Sequence, residues 1–247
     1  MRAIILAAGR GLRLKQPSDA ELPKCLLEFG GHSLLERHLQ LLRGVGVTEV
    51  VLALGFRHEA VEAHLRELAV RPLPQIVLNP RFELGSVLTL HTVAEALTRG
   101  GDVLVMDADV LCHAGIMSAL AAGAGPVNRL LIDRGFEPGD EPVKVCVRNG
   151  VPIELRKQLA ADLRYDTIGE SVGFFRFSER GARRLAAIVD DYVGSGRANM
   201  PHEEAVRDLL RESGREFEVA DVTDLAWIEI DFPVDVERAA RKILPQL

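Results

Sequence analysis

The chain has 247 residues, 47% hydrophobic and 27% charged, which is ample apolar material for the core of a globular α/β protein. Its formal net charge of −6 excludes the basic surface that nucleic-acid binding normally needs, while leaving room for a local basic pocket. Three widely separated cysteines, Cys25, Cys112 and Cys146, show no metal-ligand spacing and are expected to be reduced core residues.

The first element, Arg2 to Ala7, reads as a buried parallel strand, short, apolar and ended by glycine. The apolar run Ala3 to Ala8 is too short for the core of a signal peptide, and no later stretch approaches the length of a membrane span. The chain is therefore expected to be cytoplasmic. A long loop follows from Gly9 to about Pro23, a length usually reserved for function. Ser33-Leu-Leu-Glu36 is a capping box, and Leu34, Leu35, His38, Leu39 and Leu42 recur at helical spacing until Gly44 and Gly46. Glu49 to Ala53 is a second buried strand, Glu59 to Leu68 a helix, Gln75 to Leu78 a strand and Ser86 to Leu97 a helix. Val103 to Met106 is a fourth strand, ending in Asp107-Ala-Asp109. Val143 to Arg148 and Val151 to Leu155 flank Asn149-Gly150, the signature of a hairpin with a type I′ turn. Gly173 to Phe177 is a strand, Glu179 to Tyr192 and His202 to Arg211 are helices, and Trp227 to Asp231 is a late strand. Pro233 opens a closing helix.

This β-α rhythm predicts an α/β, Rossmann-like (GT-A-like) fold: a mixed, mainly parallel sheet with helices on both faces and a small antiparallel insertion. Neither a repeat nor a linker divides the chain, so residues 1–247 are expected to form one domain, read as two halves, 1–125 and 126–247. Ligands of such sheets sit outside the carboxyl ends of the strands, where both the opening glycine stretch and the Asp107/Asp109 pair fall.

The stretch Leu6-Ala-Ala-Gly-Arg-Gly-Leu-Arg-Leu14 lacks the third glycine of a dinucleotide fingerprint, because that position is Leu14. It also lacks the lysine and hydroxyl residue of a Walker loop. Gly9 and Gly11 would let backbone N–H groups approach phosphate oxygens, and Arg13 and Lys24 would neutralise them. On local spacing alone, a glycine turn with solvated basic residues fits equally well.

The order of motifs along the chain goes further. LAAGRGLRL, LPKCLLEFGG, LGSVLTLHTVAEAL, DADV, ELRKQL, GESVGFFRF and WIEIDFPVDVERA resemble the nucleotidyltransferase superfamily that joins a nucleoside triphosphate to a phosphorylated small molecule. The later motifs look most like the phosphocholine cytidylyltransferase branch. Leu12 departs from the family pattern, which has Ser or Thr there, so one hydroxyl contact to the triphosphate is missing.

The resemblance implies in-line attack of an acceptor phosphate on the nucleotide α-phosphorus, with loss of pyrophosphate. Positioning and charge neutralisation dominate such chemistry. It implies that Lys24, Arg13 and Lys157 act on phosphates, with Arg156 and Lys144 as rivals to Lys157. Asp109 and Asp231 would be ligands of Mg²⁺, which suits hard oxygen donors. Leu6, Ala7, Ala8, Gly9, Arg10, Gly11, Asn79, Gly85, Ser86 and Asp107 would bind the nucleotide, with CTP favoured, and Ser86 could equally be a helix cap. Glu170, Glu203, Trp227 and Glu229 would bind the acceptor, although a lone Trp suits the core as well. Trp227, Glu229 and Asp231 alternate along the late strand and are expected on one face. His38, His64 and His91 read as structural. The implied partners are a nucleoside triphosphate and a small phosphorylated acceptor, phosphocholine-like or a sugar 1-phosphate, with no nucleic acid, no membrane insertion and room for a homodimer. A glycosyltransferase consuming a nucleotide sugar and a non-catalytic nucleotide sensor are the rival classes.

Overall fold

Strand β1 (Arg2–Ala7) is buried along its whole length, as a parallel strand covered on both faces must be. The computed structural model describes residues 1–14, 22–123 and 127–247, so residues 15–21 of the long loop expected after Gly9 lie outside the described residues. A hairpin of two-residue strands, β2 (Glu28–Phe29) and β3 (His32–Ser33), leads into helix α1 (Leu34–Gly44). Half of the expected capping box forms: Ser33 Oγ accepts from the Glu36 backbone N–H at 3.1 Å, while the Glu36 carboxylate pairs with His32 at 2.9 Å.

Next come β4 (Glu49–Leu54), α2 (His58–Glu67) and β5 (Gln75–Leu78). The helix expected over 86–97 is two helices, α3 (Ser86–Thr92) and α4 (Ala94–Thr98), broken at Val93. Two β-branched residues meet there. Thr92 Oγ1 donates to the Thr89 carbonyl at 2.7 Å and the Val93 N–H turns to the Leu90 carbonyl at 3.2 Å, which tightens the turn.

Strand β6 (Val103–Asp107) is followed by β7 (Val110–Cys112), α5 (Ala114–Ala121) and β8 (Asn128–Asp133). Strands β9 (Lys144–Arg148) and β10 (Val151–Arg156) form the expected hairpin, with positive φ of 52° at Asn149 and 74° at Gly150, as a type I′ turn requires. The chain closes with β11 (Thr167–Phe177), α6 (Glu179–Gly194), α7 (His202–Ser213), β12 (Phe217–Asp221), β13 (Trp227–Glu229) and α8 (Pro233–Arg238).

Among the described residues one nine-stranded sheet takes strands from both halves of the chain, in the order β10-β9-β11-β6-β1-β4-β5, with β8 on β11 and β12 on β8. The β6-β1-β4-β5 part is parallel. The antiparallel part is this sheet's own continuation: β11 pairs with β6 through Phe174–Phe177 and with β9 through Thr167–Glu170. Alternate residues of β1 feed two cores. Ile4 and Leu6 meet apolar residues of α3, α4, α6 and α7, and Ala3, Ile5 and Ala7 meet those of α1, α2 and α5.

The late strand departs from expectation. β13 stops at Glu229 and pairs with β7, outside the main sheet, so Trp227, Glu229 and Asp231 do not lie along one strand. The three cysteines are free and buried.

Ser33→Ala removes the α1 cap and the hydroxyl that meets His64 Nε2 at 2.8 Å. Urea unfolding should show a loss of about 1 kcal/mol, with the m value unchanged.

Candidate active site

At the carboxyl ends of β1 and β6 a cleft of about 580 Å³ opens. Leu6, Ala7, Ala8, Gly9, Arg10 and Gly11 line one wall, following directly from the buried strand. Gly11 has φ +66°, and a Cβ there would lie 2.9 Å from Lys24 Cγ, so the turn lies flat against the lysine stem. Residues Leu12–Leu14 form a single 3₁₀ turn that buries Leu14 and leaves Leu12 70% exposed.

The Lys24 ammonium lies 2.8 Å from Asp109 Oδ2 and 2.7 Å from Asp231 Oδ1. Burial works against its charge, but the two carboxylates outweigh burial and hold Lys24 above the usual lysine range. Asp109 sits in the turn between β6 and β7. Its backbone carbonyl accepts from the Ile230 N–H at 2.9 Å, which seats Asp231 beside it. Asp235 Oδ2 in turn accepts from the backbone N–H groups of Asp231 and Phe232 at 3.1 and 2.7 Å and fixes that bend.

Glu229 joins these two aspartates: carboxylate oxygens of Asp109, Glu229 and Asp231 all lie within 4.8 Å of one another. Desolvation by the surrounding cleft, although the side chain is exposed, and the charges of Asp109, Asp231 and Asp107 raise the Glu229 carboxyl well above its ordinary value. Three hard oxygen donors from one compact cluster fit a Mg²⁺ ion. Glu229, expected on the acceptor side, thus belongs with the metal-binding candidates.

Arg13 and Lys157 converge from opposite walls. Arg13 reaches Asp231 Oδ2 at 2.7 Å and Glu141 Oε2 at 2.9 Å, and its guanidinium lies over the Phe232 ring. Lys157 meets the same Glu141 oxygen at 3.0 Å. Its two rivals are engaged elsewhere: Lys144 donates to the carbonyls of Gly139 and Lys157 at 2.7 and 2.6 Å, and Arg156 pairs with Glu204 at 3.0 Å.

Asp107 ends β6 and faces Gly173 of β11, whose φ is +79°. A Cβ at Gly173 would lie 2.6 Å from Asp107 Oδ2, so only glycine leaves the carboxylate its place. Burial is the main cause that raises the Asp107 carboxyl above its ordinary range, with nearby Glu203 and Asp109 adding to it against the pull of His202. Gly85 also lines the cleft, and a Cβ there would meet the Asn199 backbone at 2.6 Å. Ser86 lines it too, but it does not cap α3. Its Oγ instead accepts from the backbone N–H of His202 at 2.8 Å and ties α3 to α7.

Asn79, Glu170 and Trp227 are not brought to the cleft. Asn79 is buried, donates to Thr89 Oγ1 at 3.0 Å and accepts from the Arg81 N–H, so its amide supports the wall from behind. Glu170 lies within β11, opposite Asp133 and Lys144, and burial beside Asp133 pushes its carboxyl up to about 7. The Trp227 indole packs on the core beneath α5 and donates to Asp133 Oδ2 at 2.9 Å. Phe82, Thr89, Ser171, Gly173 and His202 line the cleft without having been singled out in the sequence. Thr89, Ser171 and Gly173 lie inside the motifs LGSVLTLHTVAEAL and GESVGFFRF, and His202 neighbours Glu203 at a helix start.

Residues 3–168 match the MobA-like NTP transferase domain. Over 252 residues the chain is 30% identical to CMP-5′-(3-aminopropyl)phosphonate synthase of Streptomyces rubellomurinus, covering 99% of this chain and 39% of that protein. The chain thus spans well under half the length of that relative. It is 24% identical over 259 residues to CTP:phosphoglutamine cytidylyltransferase of Campylobacter jejuni, covering 96% of this chain and 98% of the relative. The fold matches inositol-1-phosphate CTP transferase from T. maritima with a TM-score of 0.78, 19% identity and coverage of 99% and 95%. It also matches CTP:phosphocholine cytidylyltransferase from Streptococcus pneumoniae with a TM-score of 0.74, 20% identity and coverage of 98% of both chains. Among the described residues no helix is long and apolar enough to cross a membrane.

Gly173→Ala forces an L-residue into a left-handed conformation and a methyl group onto the Asp107 carboxylate. The expected loss is about 1–2 kcal/mol from the backbone alone, read as a lower denaturation midpoint. A crystal structure of the variant should show the Asp107 side chain displaced.

Proposed function

This chain belongs to the MobA-like NTP transferase family, and we propose that it transfers CMP from CTP to a small phosphorylated alcohol or phosphonate, releasing pyrophosphate. The observation that carries the reading is the Lys24 ammonium set between Asp109 and Asp231 at the end of the glycine-rich turn. A cleft built to bring two anions together needs fixed cations and backbone N–H groups, and few groups that move protons. The full-length likeness to a phosphoglutamine cytidylyltransferase and the aminoalkylphosphonate relative support both the cytidylyl group and a small phosphorylated or phosphonate acceptor.

In this reading an oxygen of the acceptor phosphate forms the new bond to the α-phosphorus. The bond to the bridging oxygen of the β-phosphate breaks, and its electron pair leaves with pyrophosphate. The acceptor oxygen is already anionic, so no residue need act as a general base. The backbone of residues 7–11 approaches the triphosphate, with Gly11 keeping Lys24 against it. Lys24 stabilises charge gathering at the α-phosphate, Arg13 holds the β- and γ-phosphates, and Lys157 draws in the acceptor phosphate. Before substrates arrive, Glu141 occupies Arg13 and Lys157 together, and phosphate oxygens replace its carboxylate. Asp109, Asp231 and Glu229 would hold Mg²⁺, which supplies further neutralisation of phosphate charge when bound. A glycosyltransferase would leave the triphosphate cradle of Arg13 and Lys24 without a purpose.

The experiment is pyrophosphate release, with four nucleoside triphosphates set against a panel of phosphorylated acceptors. CTP with a small phosphorylated alcohol or phosphonate should give the highest rate, a chelator should abolish it, and added Mg²⁺ should restore it. Lys24→Ala and Asp109→Ala should each lower turnover at least about a hundredfold while circular dichroism stays native. Near-normal turnover in either variant would sink the assignment.

A further inference from the structure

His202, the first residue of α7, is only 2% exposed yet lines the cleft. Three elements hold its ring. The backbone N–H donates to Ser86 Oγ, and Nδ1 lies 3.2 Å from that oxygen and 3.0 Å from Glu203 Oε2. Phe175 of β11 meets the ring edge-on, with centroids 6.3 Å apart. With Nδ1 against Ser86 Oγ and near Glu203 Oε2, Nε2 is the ring nitrogen left over, and among the described residues neither Nε2 nor Glu203 Oε2 has a hydrogen-bond partner. Asp107 Oδ1 faces it at 3.8 Å, beyond hydrogen-bond distance.

A buried polar atom left unpaired costs about 1–3 kcal/mol, and a ligand group that pairs with it removes that cost. The gap has a definite chemistry. The 3.8 Å between Nε2 and Oδ1 can be bridged by one oxygen hydrogen-bonded to both, although Nε2 is itself closed to solvent. A hydroxyl accepts from one and donates to the other. Burial opposes protonation of His202, but Glu203 and Asp107 override it and lift the ring to about 9, which agrees with an N–H at Nε2.

We propose that His202 and Asp107 together bind one substrate hydroxyl, which makes His202 a specificity-determining residue for hydroxylated over deoxy substrates. The proposal rests on the transferase reading. The hydroxyl belongs either to the ribose or to the acceptor, and two experimental arms separate these sources. One compares CTP with 2′-deoxy-CTP and 3′-deoxy-CTP. The other compares glycerol 3-phosphate with propyl phosphate, read as substrates in pyrophosphate release and as ligands by calorimetry.

The wild type should favour the hydroxylated member by about tenfold or more in one arm, since a site built for a hydroxyl leaves its polar groups unpaired without it. His202→Phe should lower kcat/KM for the hydroxylated member more than for its deoxy partner, bringing their ratio close to one. His202→Gln, which keeps an N–H donor, should retain part of the preference. A merely structural role would depress both members equally and leave their ratio intact. Such an intact ratio, or a wild type without preference in either arm, would overturn the proposal, and the second outcome needs no variant to fold. Failure of the wild type to bind or turn over any nucleoside triphosphate would instead sink the transferase reading, and the hydroxyl site with it.

Discussion

The ammonium of Lys24, placed between Asp109 and Asp231, is the contact on which the rest of the site depends. It joins three distant parts of the chain: the segment after the glycine-rich loop, the β6–β7 turn and the bend before α8. Three carboxylates crowd within 4.8 Å of one another there, and unrelieved like charge at that distance would push them apart. Lys24 and Arg13 provide the relief on the protein side. The backbone bond from Ile230 to Asp109 and the Asp235 carboxylate beneath Asp231 then make the arrangement rigid before any ligand arrives.

This constraint explains why the cleft carries so many internal ion pairs. A site for phosphates needs cations, and cations in a concave, partly dehydrated wall need anions while they wait. Asp109 and Asp231 do this for Lys24, and Glu141 does it for Arg13 and Lys157. The two kinds of partner differ in consequence. Glu141 is 60% exposed at its side chain, so its pairs are weak. Asp231 is 12% exposed at its side chain and is fixed by backbone bonds, so it keeps its place. Loosely held and rigid ion pairs are thus divided between an exposed and a buried carboxylate.

Much of this was legible because its chemistry is local in sequence. A buried strand running into Gly9 and Gly11, and an aspartate pair directly after another buried strand, place themselves at the carboxyl edge of a parallel sheet. The parts that were not legible depend on long-range hydrogen bonds. Period-two alternation put Trp227, Glu229 and Asp231 on one face, but the Ile230 N–H is taken by Asp109 and the strand ends. The Trp227 indole found Asp133 instead, and the Asn79 amide went to Thr89 and a neighbouring turn. Ser86 looked like a helix cap, yet its hydroxyl is claimed by the first residue of α7.

That last contact shows why this wall of the cleft resists reading from motifs. Its wall is assembled from β6, β11, α3 and α7, each contributing one or two residues. Gly173 is needed because Asp107 lies under it, and His202 is oriented because Ser86 and Glu203 hold it. The phosphate end repeats one task in any enzyme of this chemistry, and a short sequence pattern can encode it. The opposite end must distinguish one small molecule from another. Which buried polar atoms are left for a ligand to complete emerges only after every protein contact has been formed.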